Sequence, residues 1–249
     1  MVGAPAAAGA LAVARRLPRL AVGLHLALTD ARPVLPARAL PDLVDASGRL
    51  RADMARAGAA IFFLPHVRRQ MLAEVRAQFE AFRATGLALD HVNAHKHFHL
   101  HPSVLSAILG LAAEFAAPAV RAPLEPSAIL ARIDGARRSL GAAALAPWAR
   151  LQRSRLKRAG VASPDQVFGL AWTGAMTLSR LAGLIAHLPD GVTEIYAHPA
   201  IAPGFAGSAP GYRYQEELAA LTSPELRRQI AAAAIDSGGF ADAARRRGA

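Results

Sequence analysis

The chain contains no cysteine among its 249 residues, which excludes disulfides, iron–sulfur clusters and thiolate zinc sites. Any metal ion would therefore have to be held by histidine, aspartate or glutamate. The same absence favours a cytoplasmic protein, and one interpretation places it against the inner face of the membrane. No apolar run approaches the roughly 18 residues that a membrane-spanning helix requires, so we expect none.

Acidic residues are also scarce, with 18 against 29 basic residues and a formal net charge of +11. Such an excess invites an anionic partner. The segment 132–158 holds eight basic residues against one acid, Asp134, with apolar residues between them. This pattern predicts a basic amphipathic helix on an anionic membrane, with an ordinary solvated helix face as the alternative. We do not expect nucleic acid as a partner, because no recognition motif accompanies the charge.

Histidine, by contrast, is concentrated in one place: the segment from His91 to His101 holds five of the nine histidines. His95, His97, His99 and His101 alternate along the chain, so in an extended segment their side chains would share one face. Neutral imidazole is the commonest metal-ligating side chain. The cluster therefore predicts a site for a divalent metal ion.

Apolar runs of strand length alternate with helical patterns, which predicts an α/β fold with a parallel sheet, either open or closed into a barrel. His25 lies in the predicted strand 20–28, the histidine cluster follows the strand 87–93, and His198 ends the strand 193–198. The carboxyl ends of parallel strands carry the chemistry in such folds, so we expect these three stretches to contribute to one site. No repeat or linker is visible, so we predict a single domain over 1–249 with a frayed tail at 241–249.

Two imidazoles and one carboxylate form a common ligand set for a divalent ion that keeps open coordination positions. A zinc ion held in this way would polarise a carbonyl group and lower the pKa of bound water, which suits amide or ester hydrolysis. Non-haem iron oxygenation uses the same ligand types. The residue types therefore leave the reaction open.

Three motifs resemble, in order and spacing, the YdjC-like (ChbG-type) carbohydrate deacetylase family over essentially the whole chain: Val22-Gly23-Leu24-His25-Leu26, the segment His91–Pro102, and His198-Pro199-Ala200. Further segments resemble the hopanoid-biosynthesis (HpnK-like) branch: Pro33–Pro36, Leu43–Asp45 and Glu194–Ala200. The resemblance implies an α/β fold with a (β/α) barrel-like parallel sheet. It also implies hydrolysis of N-acetyl groups on amino sugars at one divalent metal ion, Mg²⁺ or Zn²⁺.

The resemblance assigns roles to residues that match the family motifs. His25 and His95 match metal ligands, and His198 matches a histidine that would act as the general acid. His97 and His99 would line the site and contact the substrate. Asn93, which stands where many relatives have aspartate, would contact the substrate or support a ligand.

The sequence departs from the family pattern at its start. Family members open with a strand ending in an Asp-Asp motif, which supplies the third metal ligand and the catalytic base, and this sequence has no Asp-Asp pair. We therefore expect an N-terminally truncated chain that lacks the first strand or strands and has little deacetylase activity on an amino-sugar or glycolipid substrate. The alternative is a non-catalytic metal- or sugar-binding member of the same fold.

Overall fold

A computed structural model of the chain describes residues 1–135, 140–205 and 207–248. Its strands are β1 (Val22–Leu26), β2 (Leu89–Ala94), β3 (Gln166–Phe168) and β4 (Thr193–Ile195). Its α-helices are α1 (Ala7–Arg16), α2 (Met54–Phe63), α3 (Pro65–Arg83), α4 (Pro102–Ala112), α5 (Ser127–Asp134), α6 (Leu140–Arg158), α7 (Leu178–Ala186), α8 (Tyr214–Leu221), α9 (Pro224–Ala232) and α10 (Phe240–Gly248). Short 3₁₀ helices cover Ala37–Ala39 and His95–Leu100.

The chain divides into two compact units. The first comprises Met1–Arg121, Gln152–Ser163 and Gly238–Ala249, and the second comprises Ala122–Leu151 and Pro164–Ser237. Each unit contains one pair of parallel strands, β1 with β2 and β3 with β4. The predicted α/β class with parallel strands is thus confirmed, while closure into a barrel, the missing first strand and the single domain over 1–249 stay predictions.

The sheet of the first unit places the ends of two strands side by side. In the parallel pairing of β1 with β2, His25 lies opposite Asn93 and Leu26 opposite Ala94. Parallel bridges from Val92 to Val120 and from Ala119 to Ala162 continue the pairing beyond β2. In β1, Leu24 and Leu26 are buried, whereas Val22, Gly23 and His25 are only half-buried. The carboxyl ends of β1 and β2 therefore bring the first and second histidine motifs together.

Helix α3 packs on this sheet and also carries buried polar groups. Its buried apolar residues recur at helical spacing and form one stripe: Val67, Met71, Val75, Phe79 and Phe82. Gln78, only 2% exposed, accepts a hydrogen bond from the N–H of Ala27 (2.9 Å) and donates one to its carbonyl (2.7 Å). Glu74 accepts from the N–H groups of Val34 (2.8 Å) and Leu35 (3.0 Å). These two side chains fix the loop that follows β1.

The second unit has its own core beside the β3–β4 pair. Phe168 at the end of β3 is fully buried. It belongs to a cluster drawn from several elements: Leu130, Phe168, Trp172, Met176, Leu181, Leu184, Ala220 and Leu226. Because these residues come from α5, β3, the loop between β3 and α7, and from α7, α8 and α9, the cluster joins the elements around β3 within this unit.

The histidine segment departs from the extended geometry considered above. Residues His95–Leu100 form a 3₁₀ helix, and Lys96 and His97 have positive φ angles of 50° and 55°. Two consecutive left-handed residues turn the chain sharply, so the alternating histidines do not share one extended face. A spacing of two in sequence could not reveal this turn.

The basic segment 132–158 contains the end of one helix and the whole of another. Helix α5 ends at Asp134, and α6 runs from Leu140 to Arg158 with Pro147 inside it. Residues 136–139 lie outside the described residues.

Helix α10 occupies Phe240–Gly248, where we expect fraying at 241–249. Fraying concerns motion and stays a prediction, and residue 249 lies outside the described residues. In the part of the chain that the structure describes, no helix combines the length and apolar character needed to cross a membrane.

The buried contacts of Gln78 predict a stability effect. Replacing Gln78 by Leu leaves the N–H and C=O of Ala27 buried without their partner, so we expect a loss of about 2–4 kcal/mol in the free energy of unfolding. Urea titration followed by circular dichroism measures it. Gln70→Leu on the same helix is the matched control, because its hydrogen bonds to Asp42 are exposed; a change within about 1 kcal/mol is expected. Equal losses in the two variants would contradict the prediction.

Candidate functional site

The centre of the site is a contact between β1 and β2. The Nδ1 atom of His25 lies 2.6 Å from the Oδ1 atom of Asn93, its partner across the sheet. An amide carbonyl only accepts hydrogen bonds, so Nδ1 of His25 carries the proton and donates it. The lone pair of His25 is then on Nε2. Metal-bound histidines usually donate their other N–H to a fixed acceptor in this way.

His95 follows β2 directly and lies beside His25. The two ring centroids are 5.9 Å apart, and the ring planes meet at 73°. The left-handed residues Lys96 and His97 come next, and Lys96 Nζ binds the carboxylate of Asp30 at 3.1 Å. Left-handed backbone at non-glycine residues costs about 1–2 kcal/mol each and is found preferentially at functional sites. This turn leaves His95 next to His25 and carries the later histidines elsewhere.

Burial keeps the imidazoles of this region neutral. Burial lowers the pKa of His25 to about 3, in spite of the hydrogen bond that its Nδ1 donates to Asn93, which acts in the opposite direction. His99 is 2% exposed, and burial followed by the nearby His97 and Arg121 holds its pKa well below the ordinary value. Neither ring nitrogen of His99 makes a well-formed hydrogen bond with the described residues. Neutral rings keep a lone pair available to a Lewis acid.

The donor set fits part of a metal site. His25 and His95 are adjacent, and His25 is oriented by Asn93, as suits two imidazole ligands of a divalent ion. Within residues 1–135, 140–205 and 207–248, no group of three or more histidines and carboxylates comes together with a geometry that could hold a metal ion. The described residues thus supply two donors without a carboxylate for a third position.

The other histidines of the segment have different surroundings. The rings of His97 and His99 are 5.9 Å apart at 67°. His101 Nε2 lies 3.1 Å from the carbonyl oxygen of Gly58 in α2, and its ring packs against Phe98 and Phe62. His101 therefore joins the histidine segment to α2. The substrate-contact roles of His97, His99 and Asn93 stay predictions.

His91 belongs to the histidine cluster, but the family motifs assign no role to it. Its Nε2 atom lies 3.2 Å from Asn93 Nδ2, and its Nδ1 atom lies 2.9 Å from the carboxylate of Asp90. His91 is thus one hydrogen bond removed from the His25–Asn93 pair. The sequence held a weak signal, since His91 and Asn93 are two residues apart on one strand and share a face.

His198 lies in the second unit, just after β4. Its ring is 5.7 Å from that of Tyr196 and 5.2 Å from that of Tyr212. Its backbone N–H donates to the carboxylate of Glu217, which is fully buried and also accepts from the N–H of Met176 at 2.8 Å. Glu217 therefore fixes the backbone that carries His198. The general-acid role of His198 stays a prediction.

A second carboxylate, that of the half-buried Glu125, shapes the same unit. Glu125 accepts hydrogen bonds from the N–H groups of three consecutive residues after β3, at 2.8–2.9 Å: Gly169, Leu170 and Ala171. Burial raises the pKa of Glu125 in spite of these bonds. Gly169 has a φ of 126°, and a side chain there would collide with the backbone of Tyr196. Glu125 thus holds the loop against which Tyr196 packs.

A cavity of about 710 Å³ in the second unit lies apart from these residues. It is lined mainly by the start of α7, by α8 and by the start of α9: Thr177, Leu178, Ser179, Arg213, Glu216, Ala219, Ala220, Thr222, Ser223 and Pro224. None of the predicted site residues is among them. Its charged side chains, Arg213 and Glu216, are paired with each other.

The sequence is similar to those of several bacterial proteins named as carbohydrate deacetylases. A carbohydrate deacetylase of Geobacillus stearothermophilus is 31% identical over 235 residues, which cover 93% of this chain and 79% of that protein. One of Vibrio vulnificus is 29% identical over 238 residues, covering 91% and 77%. One of Brevibacillus brevis is 38% identical over 114 residues, covering 46% of this chain and 42% of that protein, so this match spans less than half of either.

A solved structure supports the fold. A protein from Enterococcus faecalis, described by a proposed role in cellobiose-phosphate cleavage, superposes with a TM-score of 0.71 over 97% of this chain and 85% of its own, at 24% identity. At this identity the likeness shows the fold alone. The family described as "YdjC-like protein" matches residues 1–232. The chain therefore belongs to the YdjC-like family, as its three histidine motifs predicted.

Proposed function

We propose that this chain carries the site of a hydrolase that removes the N-acetyl group from an amino sugar. The observation that carries the proposal is the placement of His25, Asn93 and His95 at the carboxyl ends of two paired parallel strands. The names of the relatives, each a carbohydrate deacetylase, support the same reaction class.

His25 and His95 are the residues that would hold one divalent metal ion, Mg²⁺ or Zn²⁺. When bound, such an ion supplies Lewis-acid polarisation of the amide carbonyl and lowers the pKa of a water molecule. Asn93 orients the His25 ring, and burial keeps that ring neutral. We propose that His97 and His99 contact the sugar, and we carry the general-acid role to His198 from the family resemblance.

A second candidate function is a non-catalytic metal- or sugar-binding protein. It is favoured by one observation: the described residues bring two imidazoles together without a carboxylate as third ligand or base. Metal binding without hydrolysis would distinguish it from the enzyme.

For the substrate we propose an amino sugar borne by a hopanoid lipid, with the basic segment 132–158 resting on an anionic membrane. Lys157 and Arg158 are exposed at the end of α6 and suit such a contact. Arg155 is less suited, because its guanidinium binds Gln152 (3.1 Å) and Ser106 (2.8 Å). Residues 136–139 of this segment lie outside the described residues.

Replacing Asn93 by Ala tests the histidine pair. Without its acceptor the His25 ring loses its fixed orientation, so we expect the affinity for Zn²⁺ to fall by about 10–100-fold in isothermal titration calorimetry. His25→Ala should weaken binding further, because it removes a ligand. His187→Ala is the control. His187 is exposed at the C-terminal end of α7, and its side chain binds the carbonyl oxygen of Gly183. Unchanged affinity in Asn93→Ala would exclude this site.

Deacetylase activity should depend on a carboxylate that the described residues do not bring together with His25 and His95. We expect acetate release from N-acetylglucosamine oligomers to be about 100-fold or more slower than with the same chain extended by a strand that ends in Asp-Asp, because a positioned base is worth that much. An enzymatic acetate assay measures the difference. Equal rates would contradict the assignment, and binding of Zn²⁺ without turnover in either protein would favour the non-catalytic candidate.

The lipid contact predicts binding to vesicles. We expect Lys157→Glu with Arg158→Glu to lower co-sedimentation with vesicles rich in phosphatidylserine by about 30-fold or more, since each basic residue at such a surface contributes about 1 kcal/mol. Arg227→Glu with Arg228→Glu, an equal charge change at exposed residues of α9, is the control. Equal effects would point to net charge alone, and no effect of either would exclude the contact.

A further inference from the structure

The N-terminus of α10 rests on the carboxylate of Asp90. Asp90 Oδ2 accepts a hydrogen bond from the N–H of Phe240 at 3.0 Å, and Oδ1 accepts from the N–H of Ala241 at 2.9 Å. A carboxylate is favoured here because helix N-termini carry unpaired N–H groups and partial positive charge. Gly239 permits this approach, since a side chain there would collide with Asp90 and Ala21.

Asp90 also contacts the next residue of β2. Its Oδ2 atom lies 2.9 Å from Nδ1 of His91. One face of the His91 ring stacks on Phe240, with centroids 4.2 Å apart and planes at 23°. The ring also closely approaches Gly23, where any side chain would collide with it. The His91 imidazole is thus held between the first strand and the C-terminal helix.

Asn93 continues the connection towards β1. Its amide nitrogen lies 3.2 Å from Nε2 of His91, and its carbonyl oxygen lies 2.6 Å from Nδ1 of His25. Four side chains, those of Asp90, His91, Asn93 and His25, therefore form one hydrogen-bonded chain. It links the first turn of α10 to the proposed ligand His25.

The Asp90 carboxylate sets the direction of the hydrogen bonds that join these four side chains. An ionised Asp90 only accepts hydrogen bonds, so Nδ1 of His91 must donate. When the His91 ring carries this one proton, its Nε2 accepts from the Asn93 amide. The Asn93 carbonyl is left to accept from Nδ1 of His25. The reversed Asn93 amide would instead place the lone pair of His91 Nδ1 against the negative Asp90. The charge at one end thus selects the proton position at the other.

The surroundings of Asp90 keep it ionised. Burial by itself would raise the pKa of this carboxyl group, but the hydrogen bonds from His91, Ala241 and Phe240 outweigh burial and hold the pKa below its ordinary value. Two of these three donors belong to α10, so the C-terminal helix takes part in fixing the charge.

We propose that Asp90 and His91 are positioning residues that hold His25 in its Nδ1–H tautomer, and that the first turn of α10 completes this arrangement. They act through Asn93 and leave Nε2 of His25 free to donate its lone pair. The consequence for metal binding rests on the proposed function, whereas the tautomer itself is a property of the metal-free protein.

The test is long-range ¹H–¹⁵N NMR of the full chain labelled with ¹⁵N-histidine, without metal. In the native protein the His25 spectrum should show the proton on Nδ1. Asp90→Asn should produce a mixture with the Nε2–H form, because an amide can donate as well as accept. Asp42→Asn is the matched control, because the Asp42 carboxylate binds Gln70 and none of the four side chains from Asp90 to His25. It should leave the His25 signals unchanged.

His91→Phe is the second variant, because it keeps an aromatic ring against Phe240 and removes both nitrogens. It should also release the His25 tautomer and lower the affinity for Zn²⁺ by about 10-fold. Near-ultraviolet circular dichroism checks that each variant is folded. The Nε2–H form in the native protein, or an unchanged Nδ1–H form in both variants, would overturn the proposal. Expected tautomer shifts in a protein that neither binds Zn²⁺ nor releases acetate would support the positioning and refute the proposed function instead.

Discussion

The parallel pairing of β1 with β2 is the constraint on which the site depends. Its register sets His25 opposite Asn93 and leaves His95 at the very next turn of the chain. Because side chains alternate between faces along a strand, a slip of one residue would send His25 to the opposite face. The apolar residues of both strands prevent that slip, since it would expose Leu24 and Leu26, which are fully buried.

Buried polar side chains hold the loops around this register. In the first unit Gln78 and Glu74 bind backbone groups of the loop after β1. In the second unit Glu125 and Glu217 do the same for the backbone after β3 and at His198. Glu74, Gln78 and Glu217 are buried and Glu125 is half-buried, so an unpaired polar atom at these positions would be costly, and the need to satisfy these groups holds the loops. The loops at the strand ends thus owe their shape to residues distant in sequence.

The histidine-rich segment has divided roles. His95 lies next to His25, and His101 binds the backbone of α2. His99 is buried, with only 2% of its surface exposed. The left-handed turn at Lys96 and His97 causes this division. Counting histidines therefore pointed to the strand ends where His25 and His95 meet, but it overstated how many histidines lie together, because backbone dihedral angles are not encoded in a spacing of two.

The sequence by itself determined the α/β class and the family, because periodicity and short motifs are local properties of the chain. It also determined which residue types were available to hold a metal ion. Only the tertiary structure decided that Asp90, 150 residues before Phe240, caps α10 and that His91 links this cap to Asn93 and His25. Those contacts depend on which segments pack together, since a hydrogen bond is set by distance in space and leaves no periodic trace along the chain.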